Sequence, residues 1–415
     1  MSLTVDAPSA LDTAPRLLAA PSPDLATHRA TFGELPWQGR RRLVSEVEAS
    51  GLLGRGGAGF PAWRKMVASA AGGDAVVIAN AAEGEPASAK DATLLSVSPH
   101  LVLDGLQLAA EAVGAKEAHL YVRPGRGEHA ARTALAERRG RDRVEVTVTR
   151  ASGHFLDGEE TAVISALEGR VALPRDKRIP APVSGMRGRP TLLHNVETLA
   201  HVALIARGGS AWFRTAGTAE EPGTFLATVS GDVASPGVVE AGYGVPLADL
   251  FAAVGGPSAD LQAVLIGGYH GAWVPLADAD DAARIAVSRA GLAPYGATPG
   301  AGVVVALRSG ACALAATSKV LTYLAGQSAR QCGPCLNGLP ALAENFAALA
   351  GGRAPRNCAQ RVERLSELVE RRGACHHPDG TARLARSALR AFEEDVRAHL
   401  SGRCAATGLM IVGRP

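Results

Sequence analysis

Apolar and polar positions change their period several times along the chain. Between Leu25 and Ser50 the spacing is helical, with Leu43, Val44 and Val47 on one face. The glycine-rich stretch GLLGRGGAGFPAWRKM breaks that pattern and opens into a second helix. DAVVIANAAEGEP reads as a buried strand running into a polar loop. The long helical stretch SPHLVLDGLQLAAEAVGA and the strands AHLYVR and VEVTVTR follow it. Strands alternating with helical crossovers predict a parallel α/β layer domain over residues 25–220. The Pro- and Ala-rich residues 1–24 before it read as a flexible leader.

The period then shortens. GTFLATVSGDVASPGVVEAGYGVPLADLFAAVGG reads as strand, turn at Ser235, Pro236 and Gly237, strand and helix, and AVLIGG adds another strand. That order suits a small β-grasp-like domain over residues 221–300. GAGVVVALRSGACALAA predicts a strand returning to the first domain and a connecting helix, residues 301–325, with Cys312 as inert core. Residues 326–405 read as a helical bundle, with a tail at 406–415. One helix carries Leu339, Leu342, Phe346 and Leu349 and ends at Gly351 and Gly352. A second carries Val362, Leu365 and Val369 and closes at Gly373. A third starts from an Asp379 N-cap and runs through Leu384, Ala388, Phe392, Val396 and Leu400.

Composition narrows the class without naming a chemistry. Hydrophobic residues make up 47% and charged residues 20% of the 415, which describes an ordinary globular protein of several domains. A net charge of +3 gives no reason to expect nucleic acid. No run of about 18 apolar residues predicts a membrane span, and the N-terminus lacks the pattern of a signal peptide. Six cysteines in so long a chain make no disulfide framework, so the expected compartment is reducing and cytoplasmic.

Several clusters carry candidate chemistry. GRGGAG, Gly54 to Gly59, satisfies G-x-G-x-x-G, but a dinucleotide fingerprint follows a strand and the segment before this one is helical. The ordinary Rossmann fingerprint is therefore rejected. The glycines still allow positive φ and an anion nest, and with Arg55 and Lys65 nearby a phosphate is the natural guest; a plain surface turn is the alternative. Asn80, Glu83 and Glu85 stand at the carboxyl end of a buried strand, where open α/β sheets place ligands. An asparagine can meet both edges of a heterocycle and a carboxylate can take a ribose hydroxyl or amide, while a capped turn with solvated acids fits the same residues. Glu159 and Glu160 fall on the first turn of a helix, which the dipole favours in any case. As a pair they also suit a ribose diol and would favour NAD over NADP. His194 and Asn195 mark a further helix start, where a histidine is commonly a structural hydrogen-bonder.

Cys332-x-x-Cys335 suits a redox dithiol, a zinc half-site or an iron–sulfur half-site, though a redox dithiol wants a βαβ setting and this pair opens a helical segment. One helix leaves the pair and the next returns, which brings Cys375, His376 and His377 back to it. Ala329 stands where a further cysteine would fit the spacing. Three thiolates with one non-cysteine ligand (water, His376 or His377) fit a cluster, and Cys/His zinc coordination fits the same residues.

Taken together, GLLGRGGAGFP, NAAEGEP, GEETAVISALEG, HNVETLA and QCGPC…C resemble, in order and spacing, the flavin subunit of respiratory complex I and its relatives in NAD-linked hydrogenases and formate dehydrogenases. The resemblance covers about residues 45–400. It implies a Rossmann-like FMN-binding α/β domain, a β-grasp soluble-ligand-binding domain and a C-terminal helical bundle with a [4Fe–4S] cluster. By this resemblance Gly54, Arg55, Gly56, Gly57 and Lys65 hold the FMN phosphate, and Asn80 and Asn195 touch the flavin. Glu85 is the carboxylate at the flavin–nicotinamide interface with Phe60 beside it, and Glu159 and Glu160 take the NADH ribose. Cys332, Cys335 and Cys375 are three of the four cluster cysteines. The chain departs from the family pattern at Ala82, where the family has Asp, at His194 for an Asn, at Phe155 for a Tyr, at Ala329 for the first cysteine, and in PRDKRIPAP, which lacks the adenine-stacking aromatic.

The leading expectation is an NADH dehydrogenase-like oxidoreductase moving electrons between NAD(H) and a one-electron carrier through FMN and a cluster, [4Fe–4S] or [3Fe–4S]. Its expected partners are a pyridine nucleotide, a ferredoxin-like iron–sulfur protein, and a membrane redox complex on whose cytoplasmic face it sits. A flavin and cluster relay without NAD is a second reading. A β-grasp binding or scaffold protein with structural zinc is a third, from another class.

Overall fold

The computed structural model describes residues 14–176, 179–278, 280–404 and 406. Its first half contains α1 (Leu25–Phe32), α2 (Arg40–Ser50), α3 (Ala62–Ala71), β1 (Val76–Ala81), α4 (Lys90–Val97) and α5 (Pro99–Val113). It continues with β2 (Glu117–Val122), α6 (Arg126–Glu137), β3 (Val146–Arg150), α7 (Glu160–Leu167), β4 (Thr191–Asn195) and α8 (Val196–Phe213). The strands form one parallel sheet in the order β3-β2-β1-β4. Alternate residues of β1 face opposite ways, so Val77 and Ala79 join Leu43, Met66, Leu106 and Leu199 in one core. Val76 and Ile78 join Tyr121, Val163 and Met186 in another. Burial on both faces explains the uninterrupted apolar run of this strand.

The helical pattern from Leu25 to Ser50 splits in two. Gly33 (φ 78°) ends α1 and Gly39 (φ 71°) precedes α2, conformations that only glycine adopts without strain. Of the expected leader, residues 1–13 lie outside the described residues, and residues 14–18 are held fast rather than loose. Leu17 is wholly buried. The Glu240 carboxylate accepts the N–H groups of Arg16, Leu17 and Leu18 at 3.0, 2.9 and 3.1 Å, and the Thr224 hydroxyl at 2.6 Å. Ser98 donates to the carbonyl of Leu17 at 2.7 Å.

The second half opens with β5 (Thr224–Gly231), β6 (Gly237–Gly242), α9 (Leu247–Ala252), β7 (Leu261–Ile266), β8 (Ala272–Pro275), α10 (Asp281–Arg284) and α11 (Arg289–Leu292). Next come β9 (Val303–Arg308), α12 (Ala313–Gly326), α13 (Leu339–Ala350), α14 (Cys358–Val369), α15 (His377–Ala391) and α16 (Glu393–Leu400). The second sheet has the order β6-β5-β9-β7-β8, with β9 parallel to β5 and antiparallel to β7. This corrects the expectation that the strand at residue 303 returns to the parallel sheet. Its apolar run has the same physical cause as that of β1. Val303, Val305 and Leu307 pack with Leu314, Leu342 and Phe346, and Val304 and Ala306 pack with Leu247, Leu250 and Phe251. The apolar pattern does not say which sheet supplies the two covers.

The last helices also differ from the spacing-based reading. The backbone leaves the helix at Phe392 (φ −123°, ψ 42°), so α15 and α16 are separate elements. Asp379 lies inside the first turn of α15 instead of capping it, and its carboxylate accepts the N–H of Arg371 at 2.7 Å. Helix α14 gives way at Glu370, where ψ swings to 135°, ahead of Gly373. Cys312 is partly buried and packs against the second core, but it is not inert: it is the N-cap of α12, and its sulfur accepts the N–H of Ala315 at 3.3 Å. Among the described residues no helix is long and apolar enough to cross a membrane.

Replacing Glu240 with Ala leaves three backbone N–H groups and one hydroxyl without their acceptor. The expected loss is about 1–3 kcal/mol of unfolding free energy in a denaturant titration. Limited proteolysis then cuts at Arg16 under conditions that spare the parent protein.

Candidate functional site

A cleft of about 660 Å³ is lined by loops of both sheets and by the helical segment. It lies in the size range of cofactor sites. Its lining starts at Gly56, Gly57 and Ala58, passes Asn80, Glu85 and Asn195, and reaches Cys375 and His377.

The glycine loop joins α2 to α3, as the helical pattern before it required. Its base is closed by the Gly54 N–H donating to the Phe60 carbonyl at 2.9 Å, and Gly57 and Gly59 take φ of 104° and 64°. Gly59 has a second reason to lack a side chain: a Cβ there would sit 1.9 Å from the Arg289 guanidinium. Arg289, in α11, lines the cleft and pairs with Glu221 at 3.3 Å. It is therefore the cation next to the loop. Arg55 turns the other way. Its guanidinium is buried 4.6 Å from the Tyr243 ring and donates to the Pro222 carbonyl at 3.2 Å, while its backbone N–H donates to Thr198 at 2.9 Å. The side chain expected at a phosphate instead fastens the loop to the second half of the protein. Lys65 pairs with Glu160 at 2.6 Å, and Phe60 is 47% exposed; neither lines the cleft.

At the carboxyl end of β1 the polar residues are heavily used. The Asn80 amide donates to the Gly158 carbonyl at 3.0 Å. Glu83 has φ 43°, and its carboxylate accepts the Ser88 hydroxyl and the N–H groups of Asp91 and Ala92. It thus holds the start of α4 while also lining the cleft. Glu85 accepts the N–H of Tyr269 at 2.8 Å and of Ala87 at 3.1 Å, bridging the β1 loop to the second sheet. Burial pushes its pKa up to about 7, against the pull of those two bonds, and the charge of Glu83 adds to the rise.

The wall of the cleft includes an ion network. Lys90 is buried and touches Asp91 at 2.7 Å, Glu197 at 2.8 Å and the Asn195 carbonyl oxygen at 3.1 Å. Burial disfavours its charge, but the two carboxylates prevail and hold its pKa above the usual lysine value. The Asn195 amide donates to Asp91 at 2.7 Å, and its oxygen caps α8 by accepting the Glu197 N–H. His194 sits in β4, not in a helix start. It is buried with Nε2 unpartnered, and burial and the nearby Lys65 charge push its pKa down to about 3. Glu159 caps α7 through Thr161 and Ala162 while also lining the cleft.

At the far end Cys335 sits in a π-helical turn, Pro334–Gly338. Cys332, Cys335 and Cys375 come together there. Burial opposes ionisation of Cys332, but the N–H groups of Cys335 and Ala374 outweigh it, so its pKa falls below the usual thiol value. Burial raises that of Cys335, with Cys332 and Cys375 adding to the rise. His376 is exposed and pairs with Asp379 at 3.0 Å. Phe155 meets the His270 ring at 4.8 Å, His270 bonds His377 at 3.0 Å, and His377 donates to the Leu324 carbonyl at 2.9 Å.

Sequence reasoning missed Lys90, Arg289 and His270. Lys90 is one of five lysines and follows the NAAEGEP motif, a usable signal. GGYHG marks His270 as a histidine among glycines. Nothing local marks Arg289, because the loop it faces is 230 positions away.

Two family models match the chain. One, described as the Nuo51 FMN-binding domain, matches residues 47–204. The other, described as the NADH-ubiquinone oxidoreductase-F iron–sulfur binding region, matches residues 315–399. The second NADH-quinone oxidoreductase F subunit of Rhizobium meliloti (strain 1021) is 31% identical over 382 residues, 87% of this chain and 89% of that protein. The F subunit of the Streptomyces coelicolor NADH-quinone oxidoreductase is 31% identical over 380 residues, 87% of this chain and 83% of that protein. A solved NAD⁺-reducing [NiFe]-hydrogenase in the H₂-reduced state superimposes with a TM-score of 0.80 at 31% identity. That match covers 90% of this chain, which spans 64% of the hydrogenase chain.

Glu85 gives the cleft a pH signature. A carboxyl whose folded pKa is raised from 4.5 to about 7 favours folding most when both states are protonated. That contribution is lost as pH rises through this window. Glu85→Gln has no such titration, so its melting temperature should gain on that of the parent between pH 4.5 and 7 and stay level above it. A constant difference across that range would place the Glu85 pKa at its ordinary value.

Proposed function

The chain belongs to the family of NADH-quinone oxidoreductase F subunits, and we propose that its cleft passes electrons between NAD(H) and a one-electron carrier through FMN and an iron–sulfur cluster. The observation that carries this is the continuity of the cleft, from the glycine loop at one end to Cys375 at the other. A flavin site and a cluster site that share one lining need no moving part between them.

The residues present fit both groups. Gly56, Gly57, Gly267, Gly300 and Ala301 give the cleft walls with little or no side chain, as a flat heterocycle and its phosphate tail require. Gly300 approaches Gly267 so closely that a Cβ would stand 2.7 Å from its Cα. Arg289 supplies positive charge beside the phosphate loop, and Asn80 and Asn195, their amides held by Gly158 and Asp91, line the cleft beyond it. At the cysteine end, two buried thiols and one half-buried thiol, with backbone N–H groups aimed at Cys332, match the sulfur ligation and hydrogen bonding of an iron–sulfur cluster. With Ala329 in place of a cysteine, the fourth ligand of such a cluster would be water, His376 or His377. When bound, FMN supplies the conversion between two-electron and one-electron chemistry.

The chain's own residues then position and exclude. Glu85 holds the β1 loop against Tyr269 and sets the floor on which a nicotinamide would lie. Glu159, already an acceptor at the start of α7, offers its charge to a ribose diol and repels a 2′-phosphate. Phe155, His270 and His377 fill the space before Cys375 with rings. We read the β6-β5-β9-β7-β8 sheet with α9 as the β-grasp domain, since β9 enters parallel to β5 after the β7-β8 pair. Association with further redox subunits belongs to the same reading.

The test is anaerobic reduction of the FMN-loaded chain. NADH should bleach the flavin at least about tenfold faster than NADPH, roughly one 1.4 kcal/mol step of like-charge repulsion, and Glu159→Gln should narrow that ratio. Iron should be present in the parent and absent from Cys335→Ser. Flavin that stays oxidised with NADH but is reduced by a ferredoxin would replace this reading with an NAD-independent relay.

A further inference from the structure

Cys312, His399 and Cys404 come from three places in the chain and meet away from the cleft. Cys312 is the N-cap of α12, His399 lies in the last turn of α16, and Cys404 follows that helix. Their ligand atoms all lie within 4.8 Å of one another. Cys312 Sγ stands 3.6 Å from His399 Nε2. A tetrahedral ion with bonds of about 2.3 Å to sulfur and about 2.0 Å to nitrogen would set those two donors about 3.6 Å apart. Asp395, one turn before His399, lines the same small cavity.

We propose that Cys312, His399 and Cys404, with the Asp395 carboxylate, form a structural zinc site. Two thiolates, one imidazole and one carboxylate make a borderline-soft set that suits zinc better than calcium or magnesium. Binding displaces the two thiol protons and leaves the imidazole neutral. Cys312 suits thiolate ligation further, because its sulfur already accepts the Ala315 N–H. His399 is buried while Cys404 is exposed, so the ion could enter from the Cys404 side and close on a fixed imidazole. The site clamps positions 87 residues apart, and the loop it closes contains Cys332, Cys335 and Cys375. The inference does not rest on the flavin and cluster reading.

The experiment is zinc analysis of the full-length chain, purified anaerobically with zinc supplied and then dialysed, together with zinc X-ray absorption. The expected result is one zinc per chain, with two sulfur and two nitrogen or oxygen neighbours. Cys404→Ser, a change at an exposed position, should remove that zinc and leave iron and FMN content unchanged; Cys312→Ser should do the same. Zinc retained at one per chain in both variants would place it at the Cys332 end and overturn the proposal. A zinc-free parent, or a Cys312–Cys404 disulfide found in it by mass spectrometry, would overturn it as well.

Discussion

The arrangement depends on one buried lysine in the wall of the cleft. Lys90 lies between Asp91 and Glu197, all three buried, and Glu197 also accepts the N–H of Leu226 at 2.9 Å. The loop after β1, the start of α8 and the first strand of the second sheet are therefore tied through one ammonium group. Burying such a set costs several kcal/mol in desolvation, and removing any one member strands the others. An apolar substitute of the same volume would pack as well but would not fix where Asn195 points. The network's gain lies in position: it sets the relation between the sheets, and the cleft is the gap left by that relation.

Much of the architecture follows from periods that can be read directly. The runs Val76–Ala81 and Val303–Arg308 announce strands because both faces of each are covered. What the pattern cannot carry is the identity of the cover, which is why β9 was expected in the wrong sheet. The helix end at Gly351 was legible, whereas the break at Gly33 was hidden inside a helical spacing that continues on both sides of it. The break at Phe392 was hidden too, since its apolar side chain continues the stripe while its backbone does not.

The candidate residues divide along a similar line. Local motifs brought out Asn80, Glu85, Asn195 and the three cysteines, because each belongs to a short segment with unusual composition. They could not say which way a side chain turns. Arg55 and Arg289 show the limit: one stands inside the glycine loop and faces away from the cleft, the other stands 234 positions later and faces in. A charge next to a motif is evidence of proximity in sequence, and the ligand responds to proximity in space.

The docking of Leu17 onto Glu240 has a consequence in time. The acceptor for the Arg16, Leu17 and Leu18 backbone lies more than 220 positions downstream. On a ribosome adding about 5–20 residues per second, Leu17 leaves the exit tunnel about 10–45 s before Glu240. Through that interval the N–H groups of Arg16, Leu17 and Leu18 lack the carboxylate that accepts them in the folded protein. The N-terminal segment is therefore pinned by its carboxylate only after β6 has emerged, and nascent chains stalled before residue 240 would carry these N–H groups without that acceptor.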